Sequence, residues 1–322
     1  MIRNLICFGS LVCLLLISFV ASASETPLVS FHLEEGKLRV LLAGQPIVTY
    51  VYRDPSIPRP YFCDARTPDG LQVTRNHPPI EGTDRTDHAT YHPGIWLAFG
   101  DISGADSWRN KAAVRHEGFL EDPTGVSGAG YFAVRNAYGS GEKVVCREAC
   151  RYGFEILSAS DLEGVHSSFA GYLLRLDSSF YSESSDFVFG DQEEMGLGLR
   201  IATPISVHKG GTIQNSERQI NEAQAWGKTA AWCDYSGVME GRRAGVVLMP
   251  HPSNFRPSWF HARDYGLLVA NPFGRNAFTG GEKSVVLVRK EERFPLRFGI
   301  LVYSTDPEDE GVAAAGYGRY LK

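Results

Sequence analysis

Asp87, His88 and His92 open the stretch "DHATYHPGIWLAFGDISGADSW", in which a carboxylate and two imidazoles stand directly before an apolar run. Histidines beside carboxylates can act as acid and base near neutrality without a metal. Two or three histidines with a carboxylate can also hold a divalent ion, and spacing alone leaves both chemistries open. A His-x3-His spacing would place both rings on one helix face. Here Pro93 follows His92 and biases it away from helical angles, so the cluster reads as a loop entering the strand "GIWLAFGDI". The plainer alternative is a pair of solvated loop histidines bonded to backbone.

Three further segments carry chemistry. His116 stands in "AAVRHEGF", on the next expected strand, where it could meet His88 or His92 across a sheet or simply bond a neighbouring carbonyl. "FGDQEEMGLGLRIATP" gathers Asp191, Glu193 and Glu194 before a glycine-broken strand. Crowded carboxyls raise one another's pKa, which can make one a proton donor; a solvated acidic turn is the alternative. "HPSNFRPSWFHARDYGLLVANPFG" mixes Trp259, His261, Arg263, Asp264, Tyr265 and Asn271 without an apolar face. Such a stretch is costly to bury unless its groups pair, and it suits hydroxyl bonding and ring stacking. Arg263 and Asp264 could instead form a structural ion pair.

The elements that must position these residues are short strands. "KLRVLLAG", "PIVTYVYRD", "GYFAVRNAY", "RAGVVLMPHP", "GLLVANPF" and "LRFGILVYS" are among more than ten runs rich in β-branched and aromatic residues and bounded by turn residues. The best helix signal is terminal: Asp306 as N-cap, Pro307 at the first helical position and acidic residues behind them. The expectation is an all-β protein, a large antiparallel β-sandwich with a short C-terminal helix and no fixed repeat.

Residues 1–23 read as a signal peptide, with Arg3, the apolar run "LICFGSLVCLLLISFV" and "ASA" before a cut after Ala23. A secreted or periplasmic protein with one domain over residues 24–322 is expected. No later apolar run is long enough to span a bilayer. A formal charge of −5 without a basic run argues against nucleic acid as a partner. Cys63, Cys146, Cys150 and Cys233 remain after cleavage. Cys146 and Cys150 sit four apart on an expected strand, about 13 Å, too far for a disulfide. There is no G-x-S-x-G elbow, phosphate loop, dinucleotide fingerprint or H-E-x-x-H.

The segments "DHATYHPGIWLAFGDISGADSWRNKA", "FGDQEEMGLGLRIATP", "WCDYSG" and "WFHARDYGLLVANPFG" resemble a secreted bacterial family labelled the PmoA family. That label refers to a membrane-embedded helical oxygenase subunit, whose spans this chain lacks, so its activity is not carried over. In architecture the family is similar to the galactose-mutarotase-like supersandwich, where histidines and a carboxylate on a concave sheet handle a sugar. The resemblance implies site positions at His88, His92 and His116, at Asp191 and Glu193, and at His261, Arg263, Asp264 and Tyr265.

The reading is a carbohydrate-active enzyme using His/carboxylate acid-base chemistry on a saccharide, as epimerase, lyase or hydrolase. Arg263, Tyr265 and Asn271 would hold the ligand, and Trp96, Trp108 or Trp259 would stack on its ring. The alternatives are a non-catalytic carbohydrate-binding protein, and an oxygenase or hydrolase with a divalent metal on His88, His92 and His116.

Overall fold

Alternation along each strand sorts side chains onto two faces. In Ile95–Phe99, the side chains of Ile95, Leu97 and Phe99 face one way, Trp96 and Ala98 the other. In Met195–Arg200, the large side chains Met195, Leu197 and Leu199 join the first set, which leaves Gly196, Gly198 and Arg200 on the second. A computed structural model, which describes residues 28–140, 143–165 and 168–322, shows what these faces build. The expected signal peptide and its cleavage point lie outside the described residues.

Two large antiparallel sheets form, beside a two-stranded one of Phe187–Phe189 and Val286–Val288. The nine-stranded sheet runs, in spatial order, Val29–Glu34, Lys37–Leu42, Gln45–Val51, Tyr61–Cys63, Ile95–Phe99, Met195–Arg200, Leu267–Asn271, Trp259–Arg263 and Lys228–Thr229. The eight-stranded sheet runs Thr212–Asn215, Cys233–Met239, Arg242–Pro250, Arg293–Thr305, Ala170–Tyr181, Lys143–Ser158, Ala129–Ser140 and Val114–Val126. Their facing sides share one apolar core, in which Phe99, Leu197 and Phe260 of the first sheet join Phe132, Leu174 and Val246 of the second. This is the all-β sandwich expected of the strand pattern.

Each sheet also has an outer face. That of the eight-stranded sheet is covered by the helix Val312–Tyr320, whose Val312 and Tyr320 pack with Leu173, Val247 and Leu301. The helix starts later than Asp306 and Pro307 predict. Thr305 Oγ1 donates to the Asp309 carboxylate and Asp309 N–H to Asp306 O, so the acidic run closes as a turn. The outer face of the nine-stranded sheet carries a second apolar cluster, with Tyr61, Trp96, Trp108, Leu267 and Val269. The four described cysteines are buried and free, Cys146 and Cys150 both on Lys143–Ser158. No helix among the described residues is long and apolar enough to cross a membrane.

Candidate functional site

Register brings distant segments onto the outer face of the nine-stranded sheet. His261 pairs with Val269, Val269 with Gly198, and Gly198 with Trp96. The neighbouring row runs Arg263, Leu267, Arg200. With strands about 4.8 Å apart, the Trp96 and His261 backbones lie roughly 14 Å apart. A saccharide-sized ligand can bridge such a span.

The floor between them depends on Gly198. A Cβ there would lie 2.6 Å from Trp96 Cζ2 and 3.0 Å from Trp108. The missing side chain lets two indoles lie over the strand, in edge contact at 5.2 Å. His92 stacks on Trp96, and His88 stacks on His92 at 4.9 Å. The three rings form a wall, buried at its base and open at His88, whose side chain is 46% exposed.

Two buried arginines hold the loop that presents this wall. Arg75 donates from Nη1 to the carbonyls of Arg85 and Asp87, and from Nη2 to that of His92. Arg59 donates to the carbonyls of Ser107, Trp108 and Tyr91. Burial lowers Arg59 to about 9 and Arg75 to about 10, so both stay charged at neutral pH. Asp87 then clamps His88: its Oδ2 lies 3.0 Å from Nδ1. With Nδ1–H donating to the carboxylate, Nε2 is the ring nitrogen left uncommitted. The other Asp87 oxygen accepts from Arg200 at 2.7 Å, and the Arg200 guanidinium lies 4.7 Å from the centre of the Tyr265 ring. A single guanidinium thus joins the 87–92 loop to the 261–265 segment.

On the opposite side stands Glu193. Its Oε1 lies 3.1 Å from His261 Nε2 and 3.0 Å from Arg263 Nη2, and Oε2 has no hydrogen-bond partner among the described residues. Arg263 is also bound by Glu222 at 2.7 Å, and its Nε donates to His261 Nε2 at 2.8 Å. Burial lowers His261 to about 4 despite the attraction of Glu193. The ring is therefore neutral at neutral pH, and acceptance at Nε2 puts its proton on Nδ1, a buried atom without a partner among the described residues. Next in the chain, Glu194 pairs with Arg109. Burial raises its pKa and Glu193 adds to the rise, while Arg109 opposes it.

Not every residue singled out in the sequence joins this face. His116 belongs to the other sheet, on Val114–Val126, where its ring packs 4.6 Å from Tyr52 and 5.2 Å from Phe119. It cannot form a set with His88 and His92. Among the described residues no group of three or more His, Cys, Asp or Glu is arranged to hold a metal ion. Asp191 accepts the N–H groups of Asn276, Ala277 and Ser284, so it anchors the short helix Arg275–Thr279. Asp264 does not pair with Arg263. Its Oδ1 accepts Glu222 N–H, and its own N–H donates to Glu222 Oε2, which fixes Glu222 beside Arg263.

Asn271 is fully buried; it spans the carbonyls of Gln192 and Glu193 and the N–H groups of Phe273 and Gly274, so it shapes the acidic loop from beneath. Trp96 and Trp108 are 1% and 0% exposed. They form the floor and offer no free ring face, contrary to the stacking role expected of them. Trp259 is half-buried on the outer face, beside Phe278. Sequence reasoning missed Arg59, Arg75, Arg200 and Glu222. Only Arg200 left a signal: it shares the parity of Gly196 and Gly198 on a strand whose other face is apolar.

Fold and site together define a two-sheet antiparallel β-sandwich with a polar cluster on an outer sheet face. The chain belongs to a family of unknown function, DUF6807, whose model matches residues 37–316. No curated protein matches it. Among solved structures it is similar to a putative kojibiose phosphorylase from human microbiome, at 8% identity and a TM-score of 0.36, over 85% of this chain and 29% of that one. It is also similar to the alpha-galactosidase from Lactobacillus brevis, at 6% identity and a TM-score of 0.36, over 86% of this chain and 39% of that one. The chain thus spans about a third of the length of these two structures.

Proposed function

We propose that the protein is an exported acid-base enzyme acting on a saccharide at the outer face of the nine-stranded sheet. One observation carries the reading. His88 and Glu193 each have one proton-transfer atom clamped, by Asp87 and by Arg263, and one left uncommitted. Clamping one atom fixes the rotamer and aims the other, which is what a general acid or base requires. Half-buried Tyr91, Trp226, Trp259 and Tyr265 stand near the charged groups, a mixture that suits a ring with apolar faces and hydroxyl edges. The resemblance to a supersandwich that handles sugars points the same way, and the apolar leader ending at Ala23 supports export. In this scheme one of His88 and Glu193 removes a proton and the other supplies one, while Glu194 is a second acid held by Arg109.

The test is turnover of a saccharide panel by the wild type, Glu193→Gln and His88→Gln, with products identified by NMR. Each variant is expected to lose roughly 10²- to 10⁴-fold in kcat. Products would assign epimerisation, elimination or hydrolysis. Binding without product at any pH would favour a carbohydrate-binding protein instead, and turnover unchanged in both variants would overturn the site.

A further inference from the structure

At one end of the same face, Arg75, Arg85, Arg200, Lys209 and Tyr265 line a cavity of about 200 Å³. Four cations surround it against two carboxylates, and both carboxylates are committed. Asp84 accepts from Asn76, from Ile80 N–H and from Thr203. Asp87 is shared by Arg200 at 2.7 Å, Arg85 at 3.2 Å and Arg75 at 3.6 Å. Lys209 is exposed and makes no ion pair among the described residues.

The decisive group is Arg200. Its side chain is 1% exposed, yet Nε and Nη1 have no hydrogen-bond partner among the described residues. Buried guanidinium donors left unpaired are costly, and an oxyanion is the partner whose charge matches theirs. Tyr265 lies against both the Arg85 and the Arg200 guanidinium, each 4.7 Å from its ring centre. Arg263, by contrast, is neutralised by Glu193 and Glu222 and has no charge to spare for a ligand. Whole-ligand pockets measure about 300–1,000 Å³. This cavity is smaller and suits one charged substituent.

We propose that this pocket binds the oxyanion substituent of an acidic saccharide, a uronate carboxylate or a sulfate ester, whose ring lies on the adjoining face between His88 and Glu193. The substrate class rests on the function proposed above; the anion pocket does not.

Calorimetric titration of the full chain tests it, with sodium glucuronate, glucose, galactose 6-sulfate and galactose as probes. At least one charged sugar is expected to bind tenfold or more tightly than its neutral counterpart, with affinity that falls as salt rises. Binding by glucuronate alone assigns a carboxylate, and binding by the sulfated sugar alone assigns a sulfate ester. Arg85→Gln with Lys209→Gln should weaken it about tenfold. Lys209→Glu, at a side chain with no ion pair to lose, should weaken it as well, whether or not the double variant folds. Equal affinity for charged and neutral sugars, no binding of any probe, or Lys209→Glu binding like wild type overturns the assignment. The two proposals fail separately. Charge-selective binding without turnover sinks the enzymatic reading alone, and turnover of neutral sugars without charge selectivity sinks the anion pocket alone.

Discussion

His92 lies flat on Trp96, with ring centroids 4.9 Å apart and planes 11° apart, and neither imidazole nitrogen has a hydrogen-bond partner among the described residues. Burial, reinforced by Arg200, holds this ring well below the usual histidine pKa. A neutral imidazole with two open nitrogens, pressed between an indole and the more exposed His88, is a spacer that sets the height of His88 above the sheet. His92→Phe should preserve the stack and the fold. It should cost far less turnover than His88→Gln, which kinetic comparison of the two variants would show.

Acid should weaken the fold through His261. The folded ring stays neutral down to about 4, whereas in the unfolded chain it protonates near 6.5. Between those values the unfolded state binds more protons, so stability falls as pH drops from about 6.5 to about 4; above that window this group has no effect. The difference amounts to roughly 3 kcal/mol. Urea unfolding at a series of pH values should show this slope in the wild type and a flatter one in His261→Gln. Parallel slopes would contradict the assignment.

Gly198→Ala tests the floor. The new methyl must displace the Trp96 and Trp108 rings, which stand 2.6 and 3.0 Å from its position. Overpacking of this kind costs about 1–3 kcal/mol. A lower urea midpoint should accompany a shift in tryptophan emission, since the two indoles that move are buried.

Arg75→Leu should be more damaging than its distance from Glu193 suggests. It leaves three loop carbonyls without their donor and removes one cation from Asp87. Breaking a buried charged network in this way costs about 3–5 kcal/mol. Chemical denaturation should report that loss.

Asp191 and Glu193 are two residues apart and should behave oppositely. Asp191→Ala removes the acceptor of three backbone N–H groups and should lower stability by about 1–3 kcal/mol. Glu193→Gln should leave stability within about 0.5 kcal/mol, a half-exposed site of small stability effect, while abolishing most turnover. Unfolding curves and rates measured side by side separate the two roles.

Strand content was legible because alternation of apolar and polar residues is a local property with a period of two, and the C-terminal helix, though not its start, because capping residues are local too. Even the outer face was partly visible: Trp96, Gly198, His261 and Arg263 follow from parity once their strands are placed. The site's composition was not. His116 and His88 are both histidines beside acids in the sequence, and only the tertiary structure puts His116 on the eight-stranded sheet and His88 on a loop over the nine-stranded one. Asp191 and Glu193 look equivalent too, yet one caps a helix 85 residues away and the other meets a histidine and an arginine that register brings beside it. Which acid is spent on the backbone, and which arginine keeps donors unspent, depends on long-range pairing. Pairing register is a property of the closed sheet, so the chain's local chemistry could nominate these residues but could not choose among them.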